Sequence, residues 1–336
     1  MIEEIDLRLG HLLQIDPRMS WARVGEILQV SPTTAANHWR HLVSGGLAWV
    51  TTYPNPGNRF TAIVEVDCRT EYLPPVIAHL CRHPLVVSVD EATGRRDLLL
   101  TLMAPDMTSL TNLIIDWIGG LEGVYNTRSA LVTNVIVGPE SWTVGALTKR
   151  EIYQASAQLL PDRTGGGEMD SADLALAEAL AVNGRASVAS LSQALGVPSS
   201  TVHRRVMRLV ANQNLIMRCD LAPLLAGWRL ACTWLITVPL SHKARVVELL
   251  KQQSALRSCL SITGSNNLMA SFRVSDQHAL DLLESRVASA IPGLAPDETI
   301  VHLRSHKSMG WLLDAEGRCT GELVVPVFGH EAPPDP

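Results

Sequence analysis

The sequence is poor in aromatic residues, in charge and in lysine. Only 4% of the 336 residues are aromatic and 18% are charged, below the quarter that is usual in globular proteins. Lysine accounts for four of the 28 basic residues, and the formal net charge is −5. A negative total excludes a histone-like or polybasic protein, although a nucleic-acid binder with a local basic patch stays possible. The remaining arginines suit guanine and phosphate recognition, but GC-rich coding would also enrich arginine.

Signals for export, for a membrane span and for a metal or disulfide framework are also lacking. The start, residues 1–6, is acidic and has no apolar run, unlike a signal peptide. The most apolar stretch, 221–240, contains Arg229 and two prolines, so it fits a buried strand better than a membrane helix. Six scattered cysteines form no C-x-x-C pair. We therefore expect a reduced, cytoplasmic protein that binds neither a metal nor another cofactor and does not contact a membrane.

The sequence repeats itself once. At an offset of 167 residues, the first fifty positions align without a gap with the stretch from 172 onward, and Asp6, Arg18 and Leu42 meet identical residues. At an offset of 170, Gly94 meets Gly264 and Asp97 meets Asn267. We interpret the chain as two copies of a repeat of about 140 residues. A Gly-rich segment at 161–167 is the predicted linker between them.

The first part of each repeat is predicted to be a helix-turn-helix. In the first repeat, Ser31 is the expected N-cap of the second helix of the motif, with Pro32 at its first position. In the second repeat Pro198 replaces that serine, so we expect Ser199 or Ser200 to provide the cap. We call these two segments the first head, residues 1–58, and the second head, residues 171–227.

The second part of each repeat alternates strand and helix in the order strand, helix, strand, strand, helix, strand. That order is typical of a ferredoxin-like domain. The predicted domains are the first head, a ferredoxin-like domain at 59–140, a helix and linker at 141–170, the second head, a ferredoxin-like domain at 228–310 and a tail at 311–336.

A helix-turn-helix contacts the DNA major groove with the first turns of its second helix. The candidate DNA contacts of the first head are Thr33, Thr34, Asn37, His38 and Arg40. Those of the second head are Ser200, Thr201, His203, Arg204, Arg205 and Arg208. Residues 183–218 contain five arginines and no acidic residue, so we expect the second head to bind DNA more strongly. Three-helix modules of this shape also bind proteins, and that alternative stays open.

Two matched turns, Gly94–Asp97 and Gly264–Asn267, are candidates for small-ligand binding. Glycine permits a positive φ, Asp97 could accept a hydrogen bond from an ammonium group, and backbone N–H groups could bind a carboxylate. An ordinary hairpin turn is an equally good interpretation. His302 and His306 lie on or just after a predicted strand. Four residues of strand span about 13 Å, so we do not expect this pair to bind one metal ion.

These motifs resemble the Lrp/AsnC family of transcription regulators. The residues that carry the resemblance are Asp6-Leu7, Ser31–Thr34, Leu42–Leu47, Leu191–Val197, Thr201–Val206 and the Gly94-x-x-Asp97 turn with its counterpart. The resemblance covers nearly the whole chain, twice. It implies an α+β fold in which a winged helix-turn-helix followed by a ferredoxin-like βαββαβ domain occurs in two copies.

The resemblance also implies partners. Family members bind operator DNA and form homodimers or larger assemblies, and small effectors, often amino acids, bind between the ferredoxin-like domains. The implied effector contacts are Gly94, Arg96 and Asp97, and more weakly Gly264, Asn266 and Asn267. Asn267 departs from the family's aspartate, and Trp39 is bulky for a recognition helix. The two sites therefore need not share a ligand, and one head could be degenerate.

An enzyme of the same architecture is the alternative. Siroheme decarboxylases resemble this chain, can occur as fused pairs, and use His and Arg residues near the loop that enters the ferredoxin-like domain. The corresponding loops here, 54–59 and 223–229, contain Arg59 and Arg229 but no histidine. We see no evident catalytic set and therefore expect a DNA-binding regulator rather than an enzyme.

Overall fold

The computed structural model describes residues 3–157, 168–291 and 294–329. The predicted linker at 161–167 lies outside these residues. The described residues form two compact units, one within 1–59, 143–226 and 309–335, the other within 60–142 and 227–308. The first compact unit contains both heads, and the second contains both predicted ferredoxin-like segments.

The first head folds into three helices and a strand, as its caps predict. Its elements are α1 (Glu4–Ile15), α2 (Trp21–Leu28), α3 (Pro32–Ser44) and β1 (Ala48–Pro54). Ser20 and Ser31 each accept a hydrogen bond from the third backbone N–H of the following helix. Gln29 adopts the left-handed conformation, with φ of 57°, and ends α2. The tight turn between α2 and α3 is therefore fixed from both sides.

The first ferredoxin-like segment has the predicted element order. It consists of β2 (Phe60–Cys68), α4 (Leu73–Arg82), β3 (Val86–Ala92), β4 (Leu98–Ala104), α5 (Met107–Thr111) and β5 (Val124–Val137). Asp106 caps α5, as predicted, by accepting a hydrogen bond from the Ser109 N–H. The helix then continues as a π-helix over Asn112–Ile118, rather than as the regular α-helix that its apolar spacing predicts.

A connecting helix and the second head follow. These elements are α6 (Lys149–Ser156), α7 (Ser171–Val182), α8 (Val188–Leu195), α9 (Ser199–Ala211), β6 (Leu215–Leu221) and the short α10 (Pro223–Ala226). Gly196, with φ of 64°, ends α8 where Gln29 ends α2. The predicted serine cap of α9 is wrong. Pro198 occupies the capping position and has no side-chain acceptor, because both serines already lie inside the first turn.

The second ferredoxin-like segment repeats the order of the first. It consists of β7 (Leu230–Ile236), α11 (Leu240–Lys251), β8 (Leu256–Ile262), β9 (Leu268–Val274), α12 (Gln277–Ala290) and β10 (Glu298–Ser308). Two short strands follow, β11 (Trp311–Leu313) and β12 (Cys319–Leu323). The apolar stretch 221–240 contains no membrane helix, and among the described residues no helix is both long and apolar enough to span a bilayer.

Eight strands of the second compact unit close into an antiparallel barrel. Their order is β3-β4-β2-β5-β8-β9-β7-β10, and β10 pairs back onto β3. Each ferredoxin-like segment contributes four strands, so two seams join them, β5–β8 and β10–β3. An apolar cluster with members from both segments, including Ile63, Leu99, Met269 and Ile300, forms one core of this unit. The predicted α+β class is confirmed.

Candidate functional site

The two heads contact one another around a local two-fold relation within the first compact unit. Strands β1 and β6 pair antiparallel in a register that places Thr51 opposite Arg218, its own counterpart 167 residues away. Arg18 donates hydrogen bonds to the carbonyl groups of Gly184 and Ala186, and Arg185 donates to those of Pro17 and Met19. Equivalent residues thus exchange equivalent bonds, so α3 and α9 are held in related positions.

Arg185, the counterpart of Arg18, also contacts an aromatic ring. Its guanidinium lies 4.0 Å from the centroid of the Trp21 ring, a distance at which a cation and an aromatic face attract. Burial lowers the pKa of Arg185 to about 10. This arginine therefore joins the heads and is not available for DNA.

The outer surface of α3 carries three of the five predicted contacts of the first head. Thr33, Asn37 and Arg40 are exposed, and Arg40 Nη1 donates to Asn37 Oδ1 at 2.8 Å. His38 instead turns inward, where its Nδ1 lies 2.8 Å from Oδ1 of the buried Asp6. Thr34 is half-buried and its hydroxyl lies 2.7 Å from that of Ser31. His38 thus serves as the partner that the buried Asp6 carboxylate needs, and its contact with DNA stays a prediction.

In the second head, two of the three predicted helix arginines are bound to aspartates. Arg205 Nη1 lies 2.8 Å from Asp170 and 2.6 Å from Asp173, and Arg208 Nη2 also pairs with Asp173. Only 1% of the Asp173 side chain is exposed, against 46% for Arg208. Arg208 thus keeps an outward surface, whereas Arg205 belongs mainly to the fold. Three further predicted contacts, Ser200, His203 and Arg204, are exposed, while Thr201 is half-buried.

The five arginines between 183 and 218 are not the uncompensated patch that their sequence suggests. Arg185 is used between the heads, and Arg218 lies 2.9 Å from Asp220 in the buried β1–β6 ribbon. Among the described residues, Arg204 is the exposed member of the five without an ion pair. The segment itself contains no acidic residue, but the aspartates that compensate its arginines lie outside it.

One aspartate in each head organises the helix that follows it. Asp6 holds His38, and Asp173 holds Arg205, and both pairs are related by the same offset of 167 residues. The sequence contains a signal for this role, since Asp6 and Asp173 align as identical residues at the offset of 167. Sequence reasoning assigned them no role.

The two predicted effector turns have the expected backbone. Gly94 and Gly264 both have positive φ, 97° and 108°. Asp97 Oδ2 accepts a hydrogen bond from the Cys68 N–H at 2.8 Å, and Asn267 Oδ1 accepts one from the Val238 N–H at 3.0 Å. The change from acid to amide therefore keeps the same backbone bond. Both side chains fasten their turn to the end of a neighbouring strand, which is a structural use of these predicted effector residues.

Arg96 is buried in an ion network rather than presented to a ligand. Its side chain is fully buried, with Nε 3.0 Å from Glu65 and Nη2 2.7 Å from Glu298. Burial by itself lowers the pKa of Arg96, but the glutamates outweigh it and raise the pKa above the usual value. Arg128 joins the network through Glu65 and Asp67, each at 2.9 Å. The Arg96 guanidinium is thus used within the protein, and its contact with an effector stays a prediction.

The two turns differ in the space around their glycines. A Cβ added at Gly94 would lie 2.7 Å from Glu298 Oε1, whereas no described atom lies within 4 Å of the corresponding point at Gly264. Asn266 beside it is half-buried and donates to Asp297 at 2.9 Å. The second turn is therefore the more open of the two.

The residues considered for metal or siroheme chemistry have other partners. His302 contacts Thr233 and Asp90, whereas His306 contacts Glu91. Among the described residues no group of three or more His, Cys, Asp or Glu could hold a metal ion. Arg59 donates to the carbonyl groups of residues 328 and 329, and burial lowers its pKa. Arg59 therefore fixes the tail in the first compact unit.

Comparisons with known proteins match two parts of the chain. Residues 61–141 match the Lrp/AsnC ligand binding domain, and residues 169–210 match the AsnC-type helix-turn-helix domain. The HTH-type transcriptional regulator LysM of Saccharolobus solfataricus is 28% identical over 133 residues, which are 39% of this chain and 93% of LysM. The HTH-type transcriptional regulator FL11 of Pyrococcus furiosus is 24% identical over 139 residues, 40% of this chain and 91% of FL11.

A solved structure resembles nearly the whole chain. The crystal structure of the siroheme decarboxylase NirDL superposes with a TM-score of 0.59 over 91% of this chain and 93% of that one, at 13% identity. At this identity the likeness concerns the fold. Residues 61–141 and 169–210 are thus similar to an Lrp/AsnC ligand binding domain and to an AsnC-type helix-turn-helix domain.

Proposed function

We propose that this protein is a transcriptional regulator in which each chain carries two winged helix-turn-helix heads that bind one double-stranded operator. The observation that carries the proposal is the exchange of equivalent bonds by Arg18 and Arg185. It holds two recognition helices, α3 and α9, in a two-fold arrangement within one compact unit. Two-fold related heads fit the two half-sites of an operator.

The exposed side chains of these helices have the chemistry that DNA recognition requires. Asn37 suits adenine and Arg204 suits guanine, since each side chain can form two hydrogen bonds to the base edge. Thr33, Ser200 and Arg208 provide further groups for phosphate oxygens. No acidic side chain lies on either helix. The local charge therefore favours DNA despite the net charge of −5.

We further propose that a small effector, such as an amino acid, binds the second compact unit at the Gly264 turn and that chains associate into homodimers or larger assemblies. The open space beside Gly264 supports this choice over the Gly94 turn, which Glu298 covers. The match of residues 61–141, the first ferredoxin-like segment, to a ligand binding domain supports ligand binding by this unit as a whole. A thermal-shift screen of amino acids, repeated with Gly264→Val, would test it. Loss of the shift in the variant is the expected result.

A mobility-shift assay on the DNA upstream of the protein's own gene tests the main proposal. Arg204→Ala should weaken binding about tenfold and reduce the slope of log affinity against log salt by about one, as expected for a lost base or phosphate contact. Arg245→Ala is the matched control, because Arg245 is also exposed but lies on α11 in the second compact unit. Equal loss in both variants would argue against α9 as a DNA-binding element.

The likeness of the fold to NirDL supports siroheme decarboxylation as a second candidate. The bonds of Arg59 to the tail weigh against it, since a guanidinium with both terminal nitrogens engaged is not free for a tetrapyrrole carboxylate. Anaerobic incubation of the protein with siroheme, followed by mass spectrometry, separates the candidates. Stepwise loss of carboxyl groups as CO₂ would replace the regulator proposal with the enzyme.

A further inference from the structure

The two recognition helices occupy equivalent positions but present different side chains. In the first head the exposed positions of α3 include Asn37, Arg40 and His41. The residues 167 positions later, on α9, are Arg204, Met207 and Arg208. All six are exposed, so none of these differences is forced by packing.

The inward surfaces of the same helices have stayed alike. Leu42 and Leu209 are both buried, at 0% and 1% exposure, and each helix has a side chain that binds the aspartate of its own head. Both helices contain 13 residues and start at corresponding positions, Pro32 and Ser199. The backbones are therefore placed alike with respect to the local two-fold, while the outward chemistry differs.

The chemical difference concerns the residues that distinguish bases. An asparagine amide donates one hydrogen bond and accepts another, which matches adenine N6 and N7. An arginine only donates, which matches guanine O6 and N7. The next exposed position is Arg40 in the first head and Met207 in the second. Arg40 is a cation and favours a hydrogen-bond acceptor on the base edge, whereas the apolar Met207 can contact a thymine methyl group. Equivalent positions would therefore select unlike bases.

We infer that the operator is asymmetric, with one adenine-containing half-site under the first head and one guanine-containing half-site under the second, both bound by a single chain. This inference rests on the proposed DNA-binding function and adds the class of sequence that is bound. A homodimer of one-headed chains would bind two identical half-sites, because its two recognition helices are identical. Here the fusion of two unlike heads removes that constraint.

Selection from a random double-stranded DNA library with the full chain tests the inference. The expected motif has two unlike halves at a spacing of about one helical turn. Duplexes are then built with the two halves as selected, or with either half duplicated as a palindrome. The native chain should bind the asymmetric duplex about tenfold more tightly than either palindrome, the effect of one bidentate contact.

Exchange variants give the second arm of the experiment. Asn37→Arg places the side chain of the second head in the first head, and Arg204→Asn does the reverse. Both side chains are exposed, so the fold should persist, and circular dichroism checks this. Asn37→Arg should now prefer the palindrome of the guanine-containing half, and Arg204→Asn the other palindrome. Arg245→Ala should keep the native preference.

The outcomes separate the inference from the function on which it rests. If no sequence is enriched and the protein binds no DNA, the proposed function fails. If a palindrome is enriched by the native chain, or if neither exchange variant alters the preference, the protein binds DNA but the asymmetric operator is wrong.

Discussion

Asp173 lies almost fully buried at the start of the second head and pairs with both Arg205 and Arg208. Its carboxylate therefore decides how much positive charge α9 presents. The corresponding Asp6 in the first head pairs with a histidine instead. A single residue outside α9 thus compensates two of its three arginines, and a count of the charges along α9 alone does not show this.

Asp173→Asn should lower the free energy of unfolding by about 1–3 kcal/mol, because it leaves Arg205 without its buried partner. It should also make DNA binding more salt-dependent, because Arg205 and Arg208 lose a competing anion. Urea unfolding and salt titrations of a mobility shift measure the two effects. Asp281→Asn, on α12, is the control. An unchanged salt slope would mean that the freed arginines do not approach DNA.

Lys307 is a second residue whose state depends on tertiary burial. Its side chain is buried, its Nζ donates to the His83 carbonyl at 2.9 Å, and burial lowers its pKa to about 7. The unfolded chain holds this proton up to a pH near 10.5. Because the unfolded state binds the proton more tightly, Lys307 makes stability rise with pH between about 7 and 10.5.

Lys307→Met should therefore raise the free energy of unfolding by about 2 kcal/mol at pH 6, since a buried cation is replaced by an apolar side chain. The gain over the native chain should shrink as pH rises toward 10. Urea unfolding from pH 6 to 10 checks the trend, with the exposed Lys251→Met as the control. A gain independent of pH would show that packing, and not the proton, is responsible.

At the scale of elements, α6 depends on one carboxylate. Glu151 accepts a hydrogen bond from the Thr148 N–H at 2.8 Å and pairs with Arg8 of α1. Burial raises the pKa of Glu151, but the Thr148 and Arg8 contacts outweigh it and lower the pKa to about 2. The capping box and the ion pair together attach α6 to the first head.

This arrangement predicts acid sensitivity. The stabilisation from ionised Glu151, about 3 kcal/mol, is fully present above pH 4.5 and disappears as pH falls to 2. Glu151→Gln should lower stability at pH 7 and flatten the dependence between pH 4.5 and 2. Urea unfolding at pH 7, 4 and 3 measures both, and the exposed Glu248→Gln is the control. Parallel curves for Glu151→Gln and the native chain would contradict the assignment.

Most elements were predictable because their signals are local. Ser31 with Pro32 starts α3, and Asp106 caps α5, through bonds that span three residues. The cap of α9 was mispredicted, since Pro198 can occupy the capping position without a side-chain acceptor. The spacing of apolar residues in the π-helix at Asn112–Ile118 is the same as in an α-helix, so this spacing does not distinguish the two kinds of helix.

At the scale of the whole molecule, the two seams of the barrel differ. At the β10–β3 seam, Ser305 lies opposite Asp90, and His302 and His306 approach Asp90 and Glu91. The equivalent position of the β5–β8 seam pairs Val135 with Leu260. Two copies of the first half, paired with each other, would place Asp90 against Val135. The half-buried carboxylate of Asp90 would then lack its partners. The seams therefore favour association of unlike halves.

Residues 1–162 and 163–336, produced as two chains in one cell, should associate one to one. Native mass spectrometry should show the mixed pair in excess over either homodimer. Replacing Asp90 by Leu together with His302 and Ser305 by Val should make the seams alike and let homodimers appear. A statistical mixture from the unaltered halves would show that these polar pairs do not specify partner choice.

The sequence by itself determined the repeat, the helices and strands, their order and most caps, because these depend on neighbours a few positions apart. Only the tertiary structure decided which predicted site residues remain available. Arg205 is neutralised by Asp173, Arg96 is enclosed by Glu65 and Glu298, and Arg185 reaches the other head. The interaction energy of two charges decreases with their distance in space and not with their separation along the chain. A scarcity of charge in the sequence therefore says little about where the remaining charges are exposed.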